Sequence, residues 1–230
     1  MKTRIKFQVL LVLLLLAPAQ GVFALGGQMV EQPRHGQANA HMNSMGFDQL
    51  VARFEAPDRE QWQKPEAVIE SLGGLNGKTV VEIGSGTGYF SFRLAEAGAQ
   101  VIAADVDRRF LDYVERRKAE RKLGDDKIIT RLIPYDSPQL LEKDADIVLL
   151  VDVYHHIEDR ESYFKQVRAG IKPDGKLVIV DFKMVETPDG PPPAMRISPA
   201  QVQAELTAAG FSRFKLDRDM LPFQYILTAE

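Results

Sequence analysis

The chain has 230 residues, 45% of them hydrophobic and 27% charged, a composition that suits one globular domain with a sizeable core. Its formal net charge of −3 argues against a large nucleic-acid-binding surface, because such surfaces are usually basic. Cysteine is absent. This excludes catalytic mechanisms that need a protein thiolate, and it also excludes a lipid anchor attached to cysteine.

The first 24 residues have the pattern of a secretory signal peptide. Lys2, Arg4 and Lys6 precede an apolar run over 9–17 that is shorter than the roughly 20 residues needed to span a bilayer. Small residues favour cleavage after Ala24, so the remaining chain is expected to be periplasmic or secreted, with no stable membrane insertion. The alternative is an uncleaved inner-membrane anchor that uses residues 18–25 to lengthen the apolar stretch.

Residues 25–44 are polar and without periodicity, and they predict a flexible linker before a domain over 45–230. His35, His41, Met42 and Met45 are of types that bind soft metals, but a solvated linker is the favoured interpretation. No metal site is predicted.

Helices and strands are expected to alternate along the domain. Amphipathic helices over 47–54 and 61–72 precede the first strand, and a Lys-Pro-Asp-Gly turn is expected at 172–175. This alternation predicts an α/β fold of βαβ units around a largely parallel sheet, with one antiparallel strand at or near its edge. The strands are expected at 79–83, 101–104, 128–133, 145–151, 176–181, 211–216 and 224–228, and the further helices at 89–97, 107–123, 159–169 and 198–209.

A glycine-rich loop, Glu82–Gly88, leaves the first strand and opens a helix. Ligands of open α/β sheets bind beyond the carboxyl ends of the strands, where this loop lies. Tyr89 stands where the dinucleotide pattern G-x-G-x-x-G needs its last glycine, so a nicotinamide-dependent oxidoreductase ranks low. The Glu82 carboxylate would repel a pyrophosphate but suits the cationic amino end of an aminoacyl-type cofactor. A purely structural turn is the alternative for such a loop.

Acidic residues follow the next two strands. Asp105 can accept both hydroxyls of a ribose, whereas Asp107 suits the N-cap of the next helix. Asp136 is placed to accept from an adenine amino group, or it is an ordinary turn residue before Pro138.

These features together resemble the class I, Rossmann-like S-adenosylmethionine-dependent methyltransferases over roughly residues 47–230. The matching segments are VVEIGSGTGYF at 80–90, DIVLLVDVYHHI at 146–157 and the strand 177–182, with Asp105 and Asp136. The resemblance implies a doubly wound, mostly parallel seven-stranded sheet with a C-terminal antiparallel hairpin. It also implies S-adenosyl-L-methionine as cofactor and methyl transfer as the reaction. The resemblance does not supply the acceptor, which we expect to be a small molecule. A narrower group of bacterial homologues is similar through WQKP at 62–65 and YHH at 154–156.

The resemblance also implies roles for single residues. It places Glu82, Gly84 and Gly86 around the aminoacyl portion of the cofactor, Asp105 on the ribose and Asp136 near the adenine. The expected cofactor-binding set is Glu82, Gly84, Ser85, Gly86, Gly88, Asp105, Asp136 and Asp152.

The acceptor is expected beside the loop that follows the fourth strand. A neutral hydroxyl or an ammonium acceptor must lose a proton, and histidine titrates near neutrality. The candidate catalytic residues are therefore Tyr154, His155 and His156, with His155 slightly favoured as the base. The alternative is that both histidines are structural. The loop lacks the prolines of amino-methylating nucleic-acid enzymes, and Asp181-Phe182-Lys183 lacks the Asp-Asn pair of metal-dependent catechol-type enzymes, so neither nucleic acid nor a catalytic metal is expected.

Two further segments are expected to shape the pocket. The proline-rich loop 186–193 can wall one side, and Phe47, Phe54, Trp62 and Lys64 can form a lid, unless the aromatic residues are ordinary core. Lys64 is a candidate partner for a substrate carboxylate or phosphate. A hypothesis from another class is an exported protein that binds the cofactor without catalysis, since S-adenosylmethionine is made in the cytoplasm.

Overall fold

The computed structural model describes residues 36–230, so the predicted signal peptide and residues 25–35 of the predicted linker lie outside the described residues. The described part contains seven strands and eight helices. Their bounds are α1 (Gln37–Asn43), α2 (Phe47–Phe54), α3 (Arg59–Gln63), α4 (Pro65–Ser71), β1 (Thr79–Ile83), α5 (Tyr89–Glu96), β2 (Gln100–Asp105), α6 (Arg108–Glu120), β3 (Ile128–Leu132), β4 (Ala145–Val151), α7 (Arg160–Gly170), β5 (Ile171–Phe182), α8 (Pro199–Ala208), β6 (Phe214–Asp217) and β7 (Gln224–Ala229), with 3₁₀ turns at Tyr154–His156 and Pro193–Met195.

The strands form one sheet in the order β3-β2-β1-β4-β5-β7-β6. All neighbouring pairs from β3 to β5 are parallel, and β7 runs antiparallel to both β5 and β6. This arrangement confirms the predicted Rossmann-like α/β sheet with its C-terminal hairpin. The chain reverses its direction of winding between β1 and β4, and ligands of open α/β sheets bind at such a point.

Alternation of side chains along the strands produces two apolar layers. Val81 and Ile83 pack on one face with the apolar residues of α7 and α8, such as Phe164 and Leu206. Val80 packs on the other face with residues of α4 and α5. β4 is buried on both faces because nearly every residue in it is apolar.

The N-terminal part differs from the sequence prediction at two places. Residues 37–43 form α1 where a flexible linker was expected, and the Asn39 side chain of this helix is buried against the sheet domain. The helix predicted over 61–72 is interrupted at Lys64, which has a left-handed φ of 45°. Pro65 causes the break, because a proline disfavours the helical conformation of the residue before it.

The turn predicted at 172–175 is also wrong. These residues belong to β5, and Ala145 pairs with Ile171 whereas Ile147 pairs with Lys176. The extra residues form an irregularity of the bulge type rather than a separate turn. Asp107 and Ser198 cap α6 and α8 through their side chains, and the Asp107 cap was expected from the sequence. No helix within residues 36–230 is long and apolar enough to cross a membrane.

Candidate active site

A cavity of about 250 Å³ opens at the carboxyl ends of the parallel strands. Its floor is the glycine-rich loop after β1, and its walls are the loops that follow β2, β4 and β5. Residues of α1, α2 and α3 cover it. The cavity is therefore at the point that the sheet topology predicts for a ligand.

The glycines of the floor have different tasks. Gly84 has a φ of +75°, and a Cβ there would lie 2.3 Å from Cγ2 of Val153, so only glycine fits. A Cβ on Gly88 would lie 2.8 Å from the Phe92 ring, on the core side of the loop. Gly88 does not line the cavity and starts α5 instead, which corrects its expected place in the cofactor set.

Asp105 lies at the end of β2, buried and facing the cavity. Its carboxylate accepts from the backbone N–H of Gly86 at 2.8 Å and of Asp107 at 2.9 Å. Burial raises the pKa of Asp105 to about 6. The loop and the carboxylate thus hold each other in place, as the predicted ribose contact requires.

Glu82 is the second buried carboxyl group of the site. It accepts a hydrogen bond from the Ser91 hydroxyl, and burial raises its pKa to about 8. The partly buried Arg59 guanidinium lies nearby, where it interacts electrostatically with Glu82 and Asp152 and stacks 4.1 Å from the Tyr89 ring centroid. Burial lowers the pKa of Arg59. Sequence reasoning missed Arg59, which lies on a short helix with no motif of its own.

Asp152 sits in a left-handed conformation with a φ of 60° and is fixed by two glutamines. Gln63 Nε2 donates to its Oδ2 at 2.9 Å, and Gln224 Nε2 donates to its Oδ1. Arg59 Nε donates in turn to Gln63 Oε1. The network joins α3, the end of β4 and the start of β7, and burial raises the pKa of Asp152 to about 6. Gln63 belongs to the WQKP segment, for which the sequence showed a resemblance to other proteins but predicted no role for Gln63.

Two unsatisfied hydroxyl groups give a test of whether the site fits S-adenosylmethionine. Ser85 Oγ and Thr87 Oγ1 line the cavity and are buried without a hydrogen-bond partner among the described residues. Buried hydroxyls of this kind are normally paired, so they are suited to a polar ligand. The lining contains the carboxyl groups of Glu82 and Asp152 with the guanidinium of Arg59, which suit an aminoacyl group. It also contains Asp105, which suits a ribose, and the apolar side chains of Val106, Phe110 and Ile133, which suit an adenine. The residues fit the cofactor.

His155 is the candidate base that the structure supports. Its side chain is 5% exposed and lines the cavity, and its Nδ1 lies 3.1 Å from both carboxylate oxygens of the fully buried Asp181. Burial alone disfavours the imidazolium, but the charge and hydrogen bond of Asp181 prevail and raise the pKa of His155. In the sequence, Asp181 served only to argue against a metal-dependent catechol-type enzyme, and its pairing with His155 was not predicted.

His156 and Tyr154 have other partners. Asn39 Nδ2 donates to the His156 carbonyl at 2.9 Å, and Asn39 Oδ1 lies 3.0 Å from His156 Nδ1, so His156 connects α1 to the site. Tyr154 is fully buried outside the cavity, where its hydroxyl donates to Glu205 at 2.5 Å and its ring stacks on Phe164. The structure therefore places Tyr154 away from the cavity, with its hydroxyl paired to Glu205.

Two other predicted binding residues, Asp136 and Lys64, also lie outside the cavity lining. Asp136 is exposed and does not line the cavity, although its neighbour Tyr135 does. Lys64 also lies outside the cavity lining and donates to the Met220 carbonyl at 3.1 Å. The register of a loop decides which of two adjacent side chains faces a pocket, and composition does not reveal it.

The walls and lid agree better with the sequence. Phe54 and Trp62 line the cavity, whereas Phe47 packs on Phe110 with ring centroids 5.1 Å apart and is not a lining residue. Asp189–Pro192 of the predicted proline-rich wall also line it.

Comparison with known proteins agrees with this geometry. Residues 81–177 match the family model of the methyltransferase domain. The match covers less than half of the chain. A solved S-adenosylmethionine-dependent methyltransferase from Aquifex aeolicus superposes with a TM-score of 0.73 at 21% identity, covering 80% of this chain and 98% of that one. This likeness supports the predicted fold.

Curated relatives differ in what their names say they act on. The domain is 47% identical over 55 residues to a cypemycin N-terminal methyltransferase of Streptomyces (24% of this chain, 22% of the relative). It is 30% identical over 122 residues to a tRNA U34 carboxymethyltransferase of Klebsiella pneumoniae (53% and 36%) and 32% identical over 114 residues to a ubiquinone biosynthesis O-methyltransferase of Coxiella burnetii (47% and 45%). The chain spans less than half of the length of these relatives, and the matches do not identify the acceptor.

Proposed function

We propose that this protein transfers the methyl group of S-adenosylmethionine to a small-molecule acceptor. The observation that carries the proposal is the convergence of Glu82, Arg59 and Asp105 on one cavity at the switch point of the sheet. Opposite charges at one end and a ribose-binding carboxylate further along correspond to the parts of this cofactor. The negative net charge of the chain supports a small acceptor over a nucleic acid.

The chain's own groups divide the work of binding. Arg59 supports the carboxylate of the aminoacyl group, and Glu82 with Asp152 supports its ammonium. The hydroxyls of Ser85 and Thr87 supply polar contacts from the floor. When bound, S-adenosylmethionine supplies a methyl carbon already activated for displacement, so alignment of the acceptor supplies much of the rate, up to about 7–11 kcal/mol of the barrier.

His155 completes the site by taking the acceptor's proton at Nε2. The hydrogen bond from Nδ1 to Asp181 fixes the tautomer in which Nε2 is the basic nitrogen. Residues of α1, α2 and α3 also line the cavity and reduce the access of bulk water to this proton transfer.

Two measurements test the proposal. Calorimetry on the full chain is expected to show binding of S-adenosylhomocysteine and S-adenosylmethionine but not of NAD. Transfer of a tritiated methyl group to small metabolites of a cell extract is then expected to fall by about 10²–10⁴-fold in His155→Ala. Absence of binding to both sulfur nucleosides would reject the proposal, and binding without any transfer would instead indicate a non-catalytic binding protein.

We also propose that the chain is exported, on the strength of the basic residues and apolar run that precede Ala24. An exported enzyme needs a source of S-adenosylmethionine outside the cytoplasm. Fractionation of cells that express the full chain separates this location from a cytoplasmic one.

A further inference from the structure

The acceptor side of the cavity differs in character from the cofactor side. We define the acceptor side as the lining residues of α1, Trp62, the loops that follow β4 and β5, and Arg53. Most of its side chains are aromatic, aliphatic or proline, and its polar side chains are Asn39, Asn43, Asp152, His155, His156 and the Arg53–Asp189 pair. The apolar residues on this side are Met42, Trp62, Phe182, Pro191, Pro192 and Met195.

The charges on this side are already neutralised. Arg53 pairs with Asp189 at 3.3 Å near the mouth, where both side chains are partly exposed. Among the described lining residues there is no lysine, and the other arginines, Arg59 and Arg109, have acidic neighbours. An anionic acceptor thus finds no spare cation, and a cationic acceptor finds no spare carboxylate. Burying either charge without a partner is unfavourable.

The loop that follows β5, which forms one wall of the acceptor side, is fixed by hydrogen bonds from Arg196. Arg196, which is 6% exposed, donates to the carbonyls of Pro191 at 2.8 Å and Lys183 at 3.0 Å and to Thr187 Oγ1 at 2.6 Å. Its guanidinium also stacks 5.4 Å from the Phe182 ring centroid. Arg196 therefore fixes the loop that follows β5 beside Phe182, which lines the cavity.

We propose that the acceptor is a neutral aromatic hydroxyl compound, a phenol, which is methylated on oxygen. The apolar walls accommodate the ring, and the His155–Asp181 pair accepts the hydroxyl proton. The acceptor oxygen forms a bond to the methyl carbon as the carbon–sulfur bond breaks and its electron pair returns to sulfur. The hydroxyl proton goes to His155 Nε2, and the products are an aryl methyl ether and S-adenosylhomocysteine. This inference rests on the proposed function.

A phenol also matches the base in acidity. A phenolic hydroxyl has a pKa near 10, within a few units of histidine, whereas an aliphatic alcohol is a much weaker acid. Proton transfer from a neutral phenol creates an anion beside the imidazolium, and the two charges stabilise each other. The charged groups around His155 are Asp181, Asp152 and Arg196, and the ring of His156 is 4.3 Å away.

The single tryptophan of the chain allows binding to be measured without turnover. Trp62 lines the acceptor side, with its ring centroid 5.9 Å from that of Phe182. With S-adenosylhomocysteine at saturation, 4-methylphenol is expected to quench Trp62 fluorescence saturably, at least about tenfold more tightly than 4-methylbenzoate or 4-methylbenzylamine. The variant Trp62→Phe removes the signal as a control. Equal or tighter binding of either charged analogue, or no binding of the phenol, would overturn the inference.

Turnover tests the proton step. His155→Ala is expected to lower kcat by about 10²–10⁴-fold for 4-methylphenol but by less than about tenfold for 4-nitrophenol, which ionises near neutrality without a base. Asp181→Asn is expected to move the acid limb of the kcat/KM profile to lower pH, and Asp181→Glu to restore it in part. Equal losses for both phenols in His155→Ala would overturn the assignment. Because S-adenosylhomocysteine binding is measured separately, loss of the phenol result alone leaves the proposed function intact.

Discussion

At the scale of single residues, the site depends on buried carboxyl groups. Burial disfavours their ionised form, and a bound cationic ligand would favour it. Glu82 is the strongest case, because burial raises its pKa from 4.5 to about 8. Near neutral pH the free protein therefore holds this group mostly protonated. A ligand ammonium placed beside it favours the ionised form.

Binding of S-adenosylhomocysteine at pH 7 is accordingly expected to release about one proton from Glu82. Asp105 and Asp152 contribute less, because their pKa values lie near 6. Calorimetry in buffers of different ionisation enthalpy measures the release, which should disappear in Glu82→Gln and persist in Glu70→Gln on the exposed face of α4. An unchanged release in Glu82→Gln would contradict the assignment.

The same group affects stability in a definite direction. Since its pKa is higher in the folded than in the unfolded chain, the free energy of unfolding falls as pH rises from about 4.5 to 8. Glu82→Gln lacks this fall, so the variant should be more stable than the wild type above pH 8 and similar to it near pH 4. Thermal unfolding as a function of pH shows the difference.

Arg59 is the residue for which the strongest loss of affinity is expected. Arg59→Gln should weaken S-adenosylhomocysteine binding by about 10–100-fold, because a charge-assisted hydrogen bond contributes about 1.5–3 kcal/mol. Binding of 5′-methylthioadenosine, which lacks the aminoacyl group, should not change. Arg93 also stacks 4.1 Å from the Tyr89 ring but lies outside the cavity, so Arg93→Gln is a matched control. Equal losses for both nucleosides would mean that Arg59 does not contact the aminoacyl end.

At the scale of elements, the loop between β1 and α5 is the least tolerant part of the fold. Gly84→Ala adds a Cβ 2.3 Å from Val153 in a left-handed conformation, so we expect a loss of about 2 kcal/mol or more. Gly74→Ala, where a Cβ meets nothing within 4 Å, should be neutral. Chemical denaturation measures both. Recovery in the double variant with Val153→Ala would show that the clash, and not the backbone alone, is the cause.

Helices and strands could be predicted from the sequence where the local residue pattern determines the structure. They could not be predicted where contacts with residues distant in the sequence determine it. The apolar run of β4 and the glycines after β1 carry their structure in their own residues. By contrast, α1 has no strong periodicity and is positioned by Asn39, whose partner His156 is 117 residues away. The site followed the same rule. Glu82 and Asp105 lie at the carboxyl ends of β1 and β2, whereas Arg59 and Gln63 are brought in by the packing of α3.

At the scale of the whole molecule, the export proposal makes a prediction about processing. The full chain expressed with a C-terminal tag in a Gram-negative host should yield a periplasmic protein that begins at Leu25. Leu13→Arg, which interrupts the apolar run, should leave the chain uncleaved in the cytoplasm. N-terminal sequencing distinguishes the outcomes, and a periplasmic chain that begins at Met1 would favour the membrane anchor.

The bond between Gln63 and Gln224 joins residues 161 positions apart, and both hold Asp152. During synthesis the ribosome releases α3 early and β7 last, so a nascent chain that already contains the glycine-rich loop still lacks a partner for Asp152. Long sequence separations of this kind slow folding, because distant segments must meet before their contacts stabilise anything. The ligand site is therefore complete only when the last strand has been synthesised. A chain truncated before Gln224 is expected to bind S-adenosylhomocysteine weakly, even if the core of the sheet has formed.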